Sequence, residues 1–361
     1  MTILMTADSV GGVWTYALDL SRGLAARGAR IVLAVMGGPL SIDQRRAADQ
    51  ISGLTMVARP YKLTWMEEPG ADVEEAGRWL LDLARATAPD VVHLNGFAHA
   101  ALPFRAPVLL VVHSCVLSWF RAVKSAAPTS GWLRYQREVK RGLAAARVVV
   151  APSRAMAMSI IQHHAPRPPV IAIHHGRHPA GFAPATKEPL VLTVGEVANE
   201  ARNLEQLARV GPRIPWPIFV AGEARKLPGL MPLGCLSSAA IAQWFGRAGI
   251  YASPARYEPF GLSAVEAGLS GCALVLGDIP SLRELWDGAA TFVHPDDTQA
   301  ILDALLALIA DPAERLRQAR LAQERARRYR VEAMADAYSA VYGHLASTPR
   351  LSEPRGFACA S

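Results

Sequence analysis

Gly249-Ile250-Tyr251-Ala252-Ser253-Pro254 runs on, through Ala255-Arg256-Tyr257, into Glu258-Pro259-Phe260-Gly261-Leu262-Ser263-Ala264-Val265-Glu266. The first six residues read as a short buried strand and its exit, and Leu262–Leu269 reads as a helix. Strand, acidic loop, glycine and helix start make one βα step of an open parallel sheet. Unpaired N–H groups and the positive dipole end at such a helix start suit a phosphate. Glu266, a turn inside the helix, can reach a ribose hydroxyl. Glu258, in the loop, can accept from the hydroxyls of a sugar. Acidic residues favour the first turn of any helix, so the spacing of the two glutamates is a weak signal by itself. Their setting between strand and helix is what points to a nucleotide-sugar site.

Outward from this unit, short β-branched runs alternate with amphipathic stretches. Residues 2–6, 31–35, 91–94, 108–112 and 148–151 read as buried parallel strands, and 15–26, 73–86 and 132–146 have helical spacing. A second series places strands at 190–194, 218–221, 250–253, 273–277 and 291–293, with helices at 203–210, 238–247, 262–269 and 300–310. Two further helices are expected at 312–328 and 331–345. Two βαβ series predict an α/β chain with two Rossmann-like, doubly wound domains facing a cleft. The seam is expected near 175–188, where His175-Gly176-Arg177-His178-Pro179-Ala180-Gly181 is rich in turn formers.

A chain of 361 residues, 51% hydrophobic and 19% charged, can bury two cores. Residues 1–178 carry a net charge of +8 and residues 179–361 a net of −1, so the basic surface belongs to the first half. No recognition motif or Lys-rich tail accompanies that charge, which argues against nucleic acid as a partner. Cys115, Cys235, Cys272 and Cys359 are scattered singly, with no metal-type spacing, as expected in a reducing cytoplasm. No run approaches 18 apolar residues, and Met1-Thr2-Ile3-Leu4-Met5 reads as a first strand instead of a leader.

The run from Pro254 to Ala267 resembles the E-x7-E segment of retaining glycosyltransferases of family 4, which have the GT-B fold. The resemblance implies that Glu258 holds donor-sugar hydroxyls and Glu266 the ribose, while Gly261 and Leu262 offer main-chain N–H groups to the β-phosphate and Phe260 belongs to the same donor-binding segment. It assigns 1–178 to an acceptor-binding domain and 179–330 to a nucleotide-sugar-binding domain. It further assigns 331–346 to a helix crossing back to the first domain, with 347–361 as a tail. Gly11 and Gly12 match the glycine pair that lets main chain approach the donor. His113, closing the strand at 108–112, matches the histidine that contacts the donor sugar. Gly234-Cys235-Leu236-Ser237 matches the loop around the nucleobase. Asn95 ends a neighbouring strand on the acceptor side. Ala151-Pro152-Ser153-Arg154 resembles a helix start, with Ser153 as its N-cap, and Glu284 reads as structural.

One departure stands out. The family pattern has Gly-Arg and then Lys-Asn-Leu, the two cations clamping the leaving diphosphate. Here Arg202, in Arg202-Asn203-Leu204, takes the place of the lysine, and Glu196 takes the place of the arginine. A like-charge pair at roughly 4 Å costs about 4 kcal/mol at an effective dielectric of 20, so Glu196 must point away or another cation must compensate. Arg225 and Lys226, after the strand at 218–221, are the nearest candidates by topology.

Residues 116–147 hold Trp119, Phe120, Arg121, Lys124, Trp132 and five further cations against one acid, Glu138. Trp119 and Arg121 are candidate acceptor-side residues. Basic residues beside Trp suit an anionic acceptor or a membrane interface, and a solvated helix face is the plainer alternative. The expected reaction is transfer of a hexose from a nucleoside diphosphate sugar to a hydroxyl of a sugar, a lipid-linked molecule or a small molecule. The resemblance implies retained configuration, with catalytic work at His113, Arg202 and Glu258. The nucleotide sugar is a co-substrate, with no cofactor expected. No metal is expected either, since no D-x-D occurs. The expected location is the cytoplasm, with peripheral contact at the inner membrane face through the basic half. Two alternatives are a non-catalytic or specialised sugar-nucleotide-binding relative, with Glu196 in place of the expected arginine, and a phosphorylase on the same fold.

Overall fold

The computed structural model describes residues 1–66, 69–196, 199–222 and 227–347. Arg225 and Lys226 lie outside the described residues.

The first half forms a seven-stranded, all-parallel sheet. Its strands are β1 (Thr2–Asp8), β2 (Arg30–Met36), β3 (Leu54–Ala58), β4 (Val91–Leu94), β5 (Val108–Val111), β6 (Val148–Ala151) and β7 (Val170–Ala172), in the order β3-β2-β1-β4-β5-β6-β7. The second half forms a six-stranded parallel sheet of β8 (Glu188–Val194), β9 (Ile218–Ala221), β10 (Met231–Gly234), β11 (Ala248–Ser253), β12 (Ala273–Gly277) and β13 (Thr291–Val293). Its order is β10-β9-β8-β11-β12-β13. The central strands are buried on both faces, which is why they read as continuous apolar runs.

Helices cover both faces. The first half has α1 (Gly11–Ala25), α2 (Ile42–Asp49), α3 (Gly70–Thr87), α4 (Val116–Lys124), α5 (Leu133–Ala145) and α6 (Arg154–His164). The second has α7 (Leu204–Val210), α8 (Ser238–Arg247), α9 (Leu262–Leu269), α10 (Pro280–Trp286), α11 (Thr298–Ala310) and α12 (Pro312–Ala326). The last helix, α13 (Val331–Ser347), leaves the second sheet. Its Met334, Ala335, Tyr338, Tyr342 and Leu345 are buried with Ile3, Tyr16 and Leu20 in the core of the first.

The chain therefore crosses between the halves twice, after β7 and after α12. The two crossings touch. The Arg177 amide donates to the Tyr329 carbonyl at 2.9 Å, and any side chain at Gly176 would run into the main chain of Arg330.

Each sheet reverses its strand order once, between β1 and β4 and between β8 and β11. Ligands of open α/β sheets bind beyond the carboxyl ends of the strands at such switch points. Gly11 and Gly12 follow β1, Asn95 follows β4, Arg202 follows β8 and Glu258 follows β11. Both switch points thus open onto one interdomain cleft.

Candidate active site

The loop at 256–260 is fixed by both halves. Ser281 Oγ of α10 donates to the Glu258 carbonyl at 2.5 Å. From the first half, Ser153 Oγ donates to the Pro259 carbonyl at 2.8 Å while accepting from the Met156 amide at 3.1 Å. Ser153 is therefore both the N-cap of α6 and a cross-domain tie. Tyr257 Oη accepts from the Cys115 amide at 3.1 Å and from Ser114 Oγ at 3.3 Å. Gly261 then turns the chain into α9 with φ of +88°, a left-handed conformation that glycine adopts without cost, and no side chain caps the first amides of the helix.

Arg202 reaches this loop from the other side of the switch point. Asn203 Nδ2 donates to the carbonyls of Pro254 (2.8 Å) and Pro295 (2.6 Å), and the Arg256 amide donates to the Ala201 carbonyl at 2.9 Å. These bonds pin the turn that carries Arg202 against the exits of β11 and β13. The Arg202 guanidinium is hydrogen-bonded to the Glu258 carboxylate. That carboxylate raises Arg202 above its ordinary value, and Glu196 adds to the effect. Glu196 itself is exposed. Leu236, half-buried, lies between β10 and α8.

The first half supplies the facing wall. Gly12 stands against Leu262, where an added Cβ would lie 3.7 Å from Leu262 Cδ1. Gly12 and the start of α9 therefore meet across the cleft, while a Cβ added at Gly11 would meet nothing within 4 Å. His113 sits at the end of β5 with both ring nitrogens engaged: Nε2 is 2.8 Å from Asn95 Oδ1, and Nδ1 is 3.3 Å from His175 Nε2. Asn95 Nδ2 donates to the Thr6 carbonyl at 2.6 Å, which fixes Oδ1 as the acceptor. His113 Nε2 and His175 Nε2 must then carry the protons. His93, beneath them, lies 3.2 Å from the same Oδ1 and 2.5 Å through Nδ1 from Tyr342 Oη of α13. Burial holds all three imidazoles neutral. His93 and His175 are pushed down to about 3, and His113 is driven well below its ordinary value, with His175 and His93 adding to the effect.

Two cavities adjoin the cleft. The first, of about 310 Å³, lies at the carboxyl ends of β1, β4 and β5, lined by Asp8, Trp65, Asn95, His99, His113 and Tyr135 among others. Burial raises Asp8 to about 7, partly offset by a hydrogen bond with Trp65. The second, of about 350 Å³, lies between α4, α6 and the 256–259 loop, with Arg121, His163 and Arg256 in its lining. Arg121 is exposed there. Trp119 is half-buried against Phe120 and lines neither cavity.

The structure brings Gly12, Arg202, Glu258, Gly261 and Leu262 together. Phe260 lies beside them, but its ring is buried against His175 (centroids 4.9 Å apart) and Tyr329 (5.5 Å), so only its main chain reaches the cleft. Glu266, one turn into α9, is bonded to Arg177. Glu284 of α10 takes the Arg154 and Ala155 amides at the start of α6, at 2.9 and 2.7 Å, and His174 Nε2 at 3.0 Å. Burial opposes its charge, yet His174 and the two amides hold it below the ordinary carboxylate range.

Sequence reasoning missed Asp8, Tyr257 and Arg177. Asp8 ends β1 three residues before Gly11, a placement that could have flagged it. Nothing in the turn-rich seam singles out Arg177.

Residues 10–180 match the description Glycosyltransferase Family 4, and residues 188–311 match Glycosyl transferases group 1. The chain belongs to the family 4 glycosyltransferases. This family 4 glycosyltransferase is 25% identical over 368 aligned residues to a glycogen synthase of Mycobacterium tuberculosis, covering 88% of this chain and 86% of that one. A solved sucrose-phosphate synthase from Thermosynechococcus elongatus superposes with a TM-score of 0.80 at 16% identity, covering 96% of this chain and 99% of the other. Anabaena HepE, solved with UDP-glucose, superposes with a TM-score of 0.75 at 16% identity, covering 95% and 100%. The structural likeness establishes the GT-B fold. The family establishes the reaction class, glycosyl transfer from a sugar nucleotide. Among the described residues, no helix of this glycosyltransferase is long and apolar enough to cross a membrane.

Proposed function

We propose that this chain transfers a hexose from a nucleoside diphosphate sugar to an acceptor hydroxyl with retained anomeric configuration, without a metal. The observation that carries the reading is the meeting of Arg202 and Glu258, from the second switch point, with Gly12 and the uncapped start of α9. Arg202 and the Gly261 and Leu262 amides would neutralise the diphosphate as it leaves, an electrostatic task usually worth more than any other single contribution. Glu258 would hold sugar hydroxyls, and Glu266 the ribose. His113 would form the floor under the sugar and keep Asn95 in place, because both of its nitrogens are already bonded. With no side chain set as a covalent nucleophile among the described residues, the leaving phosphate would take the acceptor's proton on the same face.

The acceptor would enter the first cavity, where Asp8 and Asn95 offer polar groups beside Trp65 and Tyr135. Such a wall suits a hydroxylated ring, with polar edges on the carboxyl and amide and an apolar face on an aromatic. Peripheral contact with an anionic membrane surface is part of the same reading, supported by exposed Arg121, Arg137, Lys140 and Arg141 on α4 and α5. Flotation with anionic vesicles tests it.

A thermal-shift screen of sugar nucleotides tests the donor site, because a ligand of the folded state raises apparent stability by mass action. The expected result is a rise with at least one of UDP-glucose, ADP-glucose and GDP-mannose. No shift with any sugar nucleotide would overturn the reading. Product configuration by NMR, and turnover in excess EDTA, test retention and metal independence.

A further inference from the structure

The Arg177 guanidinium divides between two carboxylates from opposite halves of the molecule. Its Nε donates to Glu266 Oε1 of α9 at 2.7 Å, and its Nη1 donates to Asp19 Oδ2 of α1 at 2.7 Å. The three side chains are 13%, 14% and 2% exposed, so this is a buried relay and not a surface pair. Arg177 stands on the first crossing between the halves. Its amide is tied to Tyr329 of the second crossing, and its guanidinium lies over the Phe182 ring, 4.8 Å from the centroid. Asp19 is held further by Arg22 at 3.0 Å and by the His178 amide at 3.4 Å. Every part of Arg177 that could swing is thus fixed, and its bond to Glu266 uses one carboxylate oxygen.

We propose that Arg177 is a positioning residue of the donor site: by bridging Asp19 to Glu266, it aims the Glu266 carboxylate at the donor ribose and makes that contact depend on the two halves being joined. The proposal rests on the reading of Glu266 as the ribose ligand. Lysine could supply the charge but not the planar fork that serves two carboxylates at once. The charged groups around Glu266 are Arg177, which favours its ionised form, and Asp19, which disfavours it. Arg22 and the His178 amide act on Asp19. Burial raises Glu266 above the ordinary carboxylate range, and Arg177 opposes the rise. Without the guanidinium, two buried acids would face each other with no shared cation, and Glu266 would hold its proton to a higher pH than in the unaltered protein. A protonated Glu266 offers the ribose a weaker acceptor.

The test is calorimetric binding of UDP, ADP and GDP to the unaltered protein, with the tightest carried to the variants R177Q, R177K and E266Q at pH 6, 7.5 and 9. R177Q is expected to weaken binding about tenfold at pH 7.5, the low end for a hydrogen bond to a charged group. The loss relative to the unaltered protein should be larger at pH 6 and smaller at pH 9. R177K is expected to recover part of the affinity and part of the unaltered pH dependence. If E266Q weakens binding and R177Q, folded by circular dichroism, binds with unaltered affinity and pH dependence, the proposal is overturned and the ribose reading stands. If E266Q leaves binding unchanged, or no nucleotide binds the unaltered protein, the ribose reading fails and the proposal with it. A tenfold loss in R177Q that is the same at all three pH values, with no recovery in R177K, assigns Arg177 to fold support alone and also overturns it.

Discussion

Arg202 and Glu258 are bonded partners, although one was expected at the diphosphate and the other at the sugar. Charge and hydroxyl recognition therefore share one hydrogen-bonded unit at the switch point of the second sheet, and altering either residue disturbs both ends of the donor. R202A is expected to lower kcat by about a hundredfold, the usual cost of losing one preorganised donor to developing charge. R202K should keep more activity. Steady-state kinetics with the sugar nucleotide found by thermal shift checks both.

Glu196 is exposed, so its repulsion of a diphosphate is screened, although it stands near enough to Arg202 to favour that charge. The roughly 4 kcal/mol of a close pair at a dielectric of 20 falls to about 1 kcal/mol or less for an exposed one. E196R is therefore expected to tighten donor binding only about two- to fivefold. A far larger gain in turnover would mean that the natural chain is an impaired relative.

Asp8 is raised by burial from the ordinary 3.8 to about 7. Between those values the folded chain keeps a proton that the unfolded chain has released, so stability falls as pH rises from about 4 to about 7, and the penalty is complete above that. D8N should remove this part of the slope and be more stable than the unaltered protein at pH 8. Melting curves from pH 4.5 to 8 measure it.

The imidazoles of His93, His113 and His175 are buried and depressed, the first and third to about 3. None of the three should titrate between pH 5 and 8. Histidine ring signals followed by NMR over that range should include three that do not move, and the pH–rate profile should show no limb from His113.

Glu284 caps α6 from the other half through two amides, with its side chain 12% exposed. Lys124 and Glu200 also bridge the halves, at 2.5 Å, but both are exposed, and such pairs contribute about 0–1 kcal/mol. E284A is expected to cost about 2 kcal/mol and K124A much less. Urea unfolding of the two variants would show the reverse order if the surface pair were the stronger tie.

The central strands were legible because a strand buried on both faces has to be apolar throughout. Among the edge strands, β13 was read at its observed place, but β3, β7 and β10 were not. Leu54–Ala58 alternates between half-buried and exposed positions, and Met231–Gly234 carries Pro232 and Gly234, residues that disfavour a strand interior. At the site, Glu258, Gly261 and Leu262 stood out because their order along the chain, strand exit to helix start, is also their order in space. Arg177 did not. Its partners are 158 residues upstream and 89 downstream, a pairing that no local pattern encodes. His113 could be located from the end of β5. Its saturated nitrogens could not, because they depend on Asn95 and His175 from separate strands and loops.

The contact of Gly176 with Arg330 gives the enzyme a single hinge pin. Two tethers lying side by side do not let two bodies drift apart, and a swing about them, like the covers of a book about its spine, must break the Ser153–Pro259 and Cys115–Tyr257 bonds. Spin labels at the open edge of the cleft should therefore change separation when nucleotide binds, and a pair flanking Gly176 and Arg330 should not.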